Sequence, residues 1–266
     1  MGIVISERES SSDNRLRHLL VHRRVVPLCS GTKKGMPILW HIMKTYSHYG
    51  HKDFILCLGY KGDMIKDYFL RFEELANDFT LNLRSKNERI IHHNKGNLED
   101  WNITFINTGQ EAGTAGRLAQ VKEFVGDEKE FLLTYGDGVA KIDIGKSVKF
   151  HQKHGKVATI TGVRPPSRFG EIGIRGHKVV KFNEKPAVAQ GYINGGFMVF
   201  KQSIFDSIGA DKGIMLEREP LEALVKRGQL MMYSAVDYWH CMDTYRDFLH
   251  LNDLWNKGKA PWKVWK

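Results

Sequence analysis

The sequence predicts an α/β fold built on a largely parallel sheet, and three observations carry that expectation. Short apolar runs of strand length, Phe54–Leu58, Ile103–Ile106, Phe131–Tyr135 and Val157–Val163, are spaced along the chain. Segments with helical spacing of apolar residues fall between them, which is the pattern of βαβ units. The 266 residues, 42% of them hydrophobic, suffice for one large domain spanning 1–266 with a full core.

The elements follow in order. Pro37 to Tyr49 reads as a helix: Pro37 suits the first helical position, Gly50 the stop, and Ile38, Leu39, Ile42, Met43 and Tyr46 share one face. Phe54–Leu58 is a strand ending at Gly59, and Asp63–Phe69 a short helix. Ile103–Ile106 is a strand that runs into Asn107-Thr108-Gly109, and Gly116–Phe124 a helix. The Phe131–Tyr135 strand stops at Gly136-Asp137-Gly138. Ile144–His154 is helical with Gly155 as its C-terminal stop, and Val157–Val163 is the next strand. Val179–Phe182 and Gly195–Phe200 read as strands of a lid or sheet extension, and Pro220–Arg227 as a helix ended by Gly228.

The formal charge of +10 is scattered, without a long basic run or an aromatic-basic repeat, so nucleic-acid binding is not expected. A basic surface equally suits a small anionic substrate such as a nucleotide or a sugar phosphate. No apolar run approaches the ~20 residues that a membrane span requires, and the N-terminus lacks a secretory apolar region. Cys29, Cys57 and Cys241 have no paired spacing; they fit a reducing cytoplasm and neither a disulfide framework nor a zinc site. The histidines show no metal spacing, and His92, His93, His151 and His154 are expected at the surface.

Five places carry possible chemistry. Ligands of open α/β sheets bind beyond the carboxyl ends of the strands. Asp137, between two glycines at such an end, can be approached closely by a metal and by phosphates, although Gly136-Asp137-Gly138 is also good turn chemistry. Thr114-Ala115-Gly116-Arg117 opens a helix whose backbone N–H groups could face a phosphate, with Arg117 as a forked donor; an ordinary helix start is the alternative. Lys185, in Glu184-Lys185-Pro186, could hold a phosphate as a point charge or simply leave a strand into solvent. Asn194, before two glycines, could bond a sugar hydroxyl or shape a hairpin turn. Asp243 is a second carboxylate, or a helix N-cap. Two carboxylates with phosphate-binding groups around them are what a Mg²⁺-assisted phosphoryl or nucleotidyl transfer needs.

Taken in order, these places resemble the sugar nucleotidyltransferases, and in particular the glucose-1-phosphate cytidylyltransferases. The resemblance runs from about Met36 to Lys266. It includes Pro37-Ile38-Leu39-Trp40-His41-Ile42-Met43, Gly59-Tyr60-Lys61-Gly62, Asn107-Thr108-Gly109 and Tyr135-Gly136-Asp137-Gly138-Val139. It continues through Arg168-Phe169-Gly170, Glu184-Lys185-Pro186, Ile193-Asn194-Gly195-Gly196-Phe197 and Met242-Asp243-Thr244.

The resemblance implies a Rossmann-like nucleotide-diphospho-sugar transferase fold and the reaction of CTP with α-D-glucose 1-phosphate to give CDP-glucose and pyrophosphate. It implies Mg²⁺ on Asp137 and Asp243, with Lys185 and Arg117 completing the catalytic set. Thr114, Gly116, Arg117 and Gly136 would meet the nucleotide, and Gly170, Glu184, Lys185 and Asn194 the sugar phosphate. A cytoplasmic homo-oligomer is expected.

The front of the chain departs from the family pattern. Such enzymes open with an apolar strand and a loop of the form L-A-G-G-x-G-T-R, then P-K-P; residues 1–35 contain no such loop, and Leu28 stands where the lysine of P-K-P would be. Seven Lys/Arg against three Asp/Glu crowd this stretch. Leu19-Leu20-Val21 and Val25-Val26 are expected to replace the missing central strand poorly, and turnover is expected to be weak.

Overall fold

A computed structural model describes residues 2–5, 17–21, 36–84, 90–93, 98–164, 171–183, 191–209, 211–234 and 236–266. Among these, nine strands form the central sheet. Asn102–Asn107 lies beside Asp53–Leu58 in parallel, with Phe54 opposite Ile103 and Leu56 opposite Phe105. Arg17–Val21 comes next, parallel to Asp53–Leu58 on one side and to Glu130–Tyr135 on the other. Gly2–Ile5 registers antiparallel against the same two strands. Met198–Lys201 and then Ala158–Val163 follow, the former antiparallel to both its neighbours. Leu230–Tyr233 adds to Ala158–Val163 in parallel and Ile193–Asn194 in antiparallel fashion. Six of the nine strands thus run the same way, as the alternation of elements predicts, and Gly2–Ile5, Met198–Lys201 and Ile193–Asn194 run against them.

Arg17–Val21 lies between Asp53–Leu58 and Glu130–Tyr135, with Leu19 opposite Ile55 and Leu20 opposite Leu56. Gly2–Ile5 registers on the same residues, Ile3 opposite Leu56 and Val4 opposite Ile55, so two short runs share the one slot. Val25-Val26 lies outside the described residues. The Gly195–Phe200 run, expected in a lid or a sheet extension, takes the sheet. Its second half, Met198–Lys201, lies inside the sheet, and the chain kinks at Gly196 (φ +76°) and Phe197 (φ +49°) to enter it. A left-handed phenylalanine is strained, and its surroundings hold it. Its N–H donates to Thr134 Oγ1 at 3.3 Å, its carbonyl accepts from Thr161 Oγ1 at 2.6 Å, and Tyr46 stacks on its ring at 5.8 Å.

Helices cover the sheet. Ile38–His48 starts after extended Pro37 and buries Ile38, Leu39, Ile42, Met43 and Tyr46. Around it Trp255, Trp262 and Trp265 gather against His41, whose centroid lies 4.4 Å from that of Trp255. Trp262 Nε1–H donates to His41 Nδ1 at 3.5 Å, and burial pushes the His41 imidazole down to about 3. Ile144–His154 begins with Asp143 accepting from the Lys146 N–H at 2.9 Å and ends at left-handed Gly155. His151 on this helix is fully buried rather than at the surface, because it shares the face of Ile144 and Val148; its Nδ1 meets Thr159 Oγ1 at 2.8 Å. Among the described residues no helix is long and apolar enough to cross a membrane.

Candidate active site

The parallel strands Asp53–Leu58, Asn102–Asn107 and Glu130–Tyr135 end on one edge of the sheet, at Gly59, Thr108 and Gly136-Asp137. Beyond Asp137 the chain turns into Gly138–Ile142, which pairs antiparallel with Val236–Cys241 as a separate two-stranded ribbon. Gly138 stands opposite Cys241, and the Met242 N–H donates to the Asp137 carbonyl at 2.7 Å. Asp137 and Asp243 therefore flank the same end of the ribbon, one leading in and the other leading out. Trp239 of the ribbon donates from Nε1 to the Gly195 carbonyl at 2.9 Å, which ties the ribbon to the turn that carries Asn194.

Asp243 is not the N-cap of the helix that follows. Thr244 caps Tyr245–Asn256, with its hydroxyl accepting from the Asp247 N–H at 3.2 Å. Asp247 Oδ2 answers the Thr244 N–H at 2.9 Å and the Asp243 N–H at 3.3 Å, so the capping box also fixes the backbone of Asp243. Burial opposes the charge on Asp247, yet hydrogen bonds from Thr244 and His240 hold its carboxyl below the usual range. The Asp243 carboxylate accepts from Cys241 Sγ at 3.1 Å. Among the described residues no group of three or more His, Cys, Asp and Glu converges as a metal cage. Two carboxylates beyond the strand ends do fit Mg²⁺, which takes one or two carboxylates and fills its remaining positions with water and substrate phosphates.

The start of helix Thr114–Gln120 differs from expectation. Its donors are already bonded: the Gly113 N–H to the Lys212 carbonyl at 2.9 Å, and those of Ala115 and Gly116 to the Ile214 carbonyl at 3.1 and 3.3 Å. The segment 211–218 crosses the helix start as a strap. The glycines admit it: a Cβ on Gly116 would lie 1.9 Å from the Lys212 oxygen, and one on Gly113 2.2 Å from that of Ile214. Thr114 Oγ1 accepts from the Leu216 N–H at 2.7 Å and donates to Glu217 Oε2 at 2.6 Å. Thr114 and Gly116 thus seat this strap, and their groups do not face outward for phosphate.

Arg117 also turns inward. It is 6% exposed and donates to the Leu58 carbonyl at 3.3 Å, Thr108 Oγ1 at 2.7 Å and the Gln110 carbonyl at 3.1 Å. The expected phosphate fork is here a clamp joining the ends of two parallel strands. Burial lowers its pKa, a desolvation cost that its three hydrogen bonds offset.

Asn194 stands at the other side of the Asp137 strand end. Its Oδ1 accepts from the Gly196 N–H at 3.0 Å and its Nδ2 donates to the Tyr135 hydroxyl at 3.5 Å. Tyr135 donates in turn to Glu217. Gly170, Glu184 and Lys185 lie outside the described residues. Glu217 carries no motif that singles it out in the sequence, whereas Tyr135 opens Tyr135-Gly136-Asp137-Gly138-Val139. Asp247 also carries one, since Thr244-x-x-Asp247 before an apolar helix is a capping-box signature.

A mostly parallel sheet with paired carboxylates just beyond its strand ends has the form of a nucleotidyl transferase. The family model described as "Nucleotidyl transferase" matches residues 14–257. The chain belongs to this family and, within it, to the glucose-1-phosphate cytidylyltransferases. It is 47% identical to the glucose-1-phosphate cytidylyltransferase of Salmonella typhimurium over 232 residues, 87% of this chain and 89% of that protein. It is 44% identical over 231 residues to the probable glucose-1-phosphate cytidylyltransferase of Bacillus subtilis, with the same shares covered. Solved structures show the same fold. HddC from Yersinia pseudotuberculosis superposes with a TM-score of 0.60 at 18% identity, over 89% of this chain and 97% of that one. UDP-glucose pyrophosphorylase complexed with UDP-glucose gives a TM-score of 0.57 at 13% identity, over 88% and 90%.

Proposed function

We propose that this chain joins CTP to α-D-glucose 1-phosphate, releasing pyrophosphate and forming CDP-glucose. The observation that carries the proposal is the meeting of Asp137 and Asp243 at one end of the Gly138–Ile142 and Val236–Cys241 ribbon. These two carboxylates would hold Mg²⁺, which supplies neutralisation of phosphate charge during transfer. An oxygen of the sugar phosphate attacks the α-phosphorus in line with the departing pyrophosphate. Asn194, with Glu184, Lys185 and Gly170, is the proposed sugar-phosphate side; Gly136 is the close-approach point for the nucleotide. Arg117 keeps the strand ends that frame this side in register.

Turnover is proposed to be weak. The L-A-G-G-x-G-T-R loop, absent from residues 1–35, would supply backbone donors and positive charge where pyrophosphate leaves. Loss of one such donor commonly costs on the order of 10²–10³ in rate. The proposed setting is the cytoplasm, on the reduced Cys57 and Cys241. Exposed Leu70, Leu75, Phe79, Leu81 and Ile91 are the apolar surface on which a homo-oligomer is proposed.

The test is CDP-glucose formation from CTP and glucose 1-phosphate with Mg²⁺, beside calorimetry of glucose 1-phosphate alone. Slow CDP-glucose formation with measurable binding supports the proposal, and fast formation removes the impairment. Binding without product favours a non-catalytic family member, a reading the missing loop supports. Neither binding nor product overturns both.

A further inference from the structure

Glu217 is exposed, yet both its carboxylate oxygens are engaged by hydroxyls far away in the chain. Thr114 donates to Oε2 at 2.6 Å, and the Tyr135 hydroxyl donates to Oε1. Tyr135 is the last residue of the strand that delivers Asp137. We infer that Glu217 is a positioning residue for the sugar-phosphate side of the site, acting through the Tyr135 hydroxyl on the Asn194 amide. The inference deepens the proposed function and rests on its placing of Asn194 beside the sugar.

The polarity of the hydrogen bonds carries the argument. An ionised carboxylate only accepts, so the single hydroxyl hydrogen of Tyr135 must point at Glu217. The tyrosine oxygen then turns its lone pairs to Asn194, and only the NH₂ end of that amide can face them. That end lies 3.5 Å from the hydroxyl, and Oδ1 accepts from the Gly196 N–H at 3.0 Å. One carboxylate therefore decides which way round Asn194 stands. The second amide hydrogen, which has no part in this chain of bonds, is the one presented for a sugar hydroxyl. Glu217 sits on the strap, whose backbone is bonded to the start of helix Thr114–Gln120.

Glutamine at this position can preserve the pattern. Its oxygen takes the Tyr135 hydrogen, and its NH₂ turns to Thr114 Oγ1, which has lone pairs to accept. Alanine cannot. Calorimetry with glucose 1-phosphate on wild type, E217A, E217Q and Y135F, with a urea midpoint for each, tests the inference. E217A and Y135F should weaken binding roughly ten-fold, the loss of one oriented hydrogen bond, and E217Q by no more than about three-fold. Binding by E217A within two-fold of wild type overturns it. So does equal weakening in E217A and E217Q that follows a drop in urea midpoint, because that is a merely structural effect. A crystal structure of E217A separates the inference from the function beneath it. Failure of the wild type to bind glucose 1-phosphate sinks the proposed function. Tyr135 and Asn194 unmoved in E217A sinks the linkage whatever the wild type binds, and a turned Asn194 amide upholds it.

Discussion

Gly116→Ala tests the strap with opposite signs for the two forces involved. In an exposed helix, alanine is more favourable than glycine by about 1 kcal/mol. Here the new Cβ would lie 1.9 Å from the Lys212 carbonyl oxygen, and that oxygen belongs to backbone. The strap must withdraw by more than 1 Å to restore ordinary contact, roughly 3.2 Å or more for carbon against oxygen. Its bonds from Gly113 to Lys212 and from Ala115 and Gly116 to Ile214 are then lost. At ~1 kcal/mol each they amount to about 3 kcal/mol. Set against the helix gain, the net loss is about 2 kcal/mol, a fall in Tm of roughly 4–8 °C for a chain of this size. Urea unfolding followed by tryptophan fluorescence measures it. Ala115→Gly is the control: no strap carbonyl is displaced, and the loss is about 1 kcal/mol of helix propensity together with one buried methyl. A Gly116→Ala protein as stable as wild type, or more so, refutes the strap as a stabilising contact.

Three further outcomes are expected. Asp137→Asn and Asp243→Asn should each lower CDP-glucose formation at least about 100-fold with the urea midpoint little changed; a variant retaining more than a tenth of wild-type turnover loses its place as a metal ligand. Arg117→Met should destabilise by about 2 kcal/mol, because Thr108 Oγ1 and the Gln110 carbonyl lose a charged donor inside the protein. Arg117→Lys should recover less than half of that in chemical denaturation, since one ammonium cannot span three acceptors; full recovery would refute the clamp. Buried His41 and His151 both titrate near 3 in the folded chain against the usual 6.5. The folded state therefore binds fewer protons, so stability is complete above pH 6.5 and falls as pH drops from 6.5 towards 3. The slope approaches about 1.4 kcal/mol per pH unit for each histidine, and His41→Phe should remove one such contribution in urea unfolding between pH 7 and 5, while His154, also lowered by burial, keeps its own.

Much of the sheet is legible because its strands are short apolar runs closed by glycine, and the Ile144–His154 helix because Gly155 ends it. The ribbon that joins the two carboxylates is not. Gly138–Ile142 follows directly on a turn, and its partner Val236–Cys241 lies about a hundred residues away, beyond the reach of local periodicity. Periodicity places the Cα of Arg117 on a helix but says nothing of which way a long side chain turns, so a buried clamp reads like a phosphate fork. The burial of His151 is recoverable: Ile144, Val148 and His151 repeat at helical spacing, an apolar stripe with a histidine in it. Asp137 and Asn194 can be picked out as candidates because polar residues beside glycine at strand ends are few, and Asp243 as a second carboxylate with apolar neighbours. Glu217 cannot, because its value lies in two hydroxyls that only the folded chain brings to it.

The ribbon also determines when the site exists. Asp137 and Asp243 meet by closing a loop of about a hundred residues, which includes the strands Ala158–Val163 and Met198–Lys201. No fragment folded on one side of that loop can hold both carboxylates, and opening of the ribbon parts them. A ligand that bridges them is bound only when the ribbon has closed over the intervening sheet strands. Its binding energy accordingly resists global unfolding, by RT ln(1 + [L]/Kd), rather than stiffening one corner of the molecule.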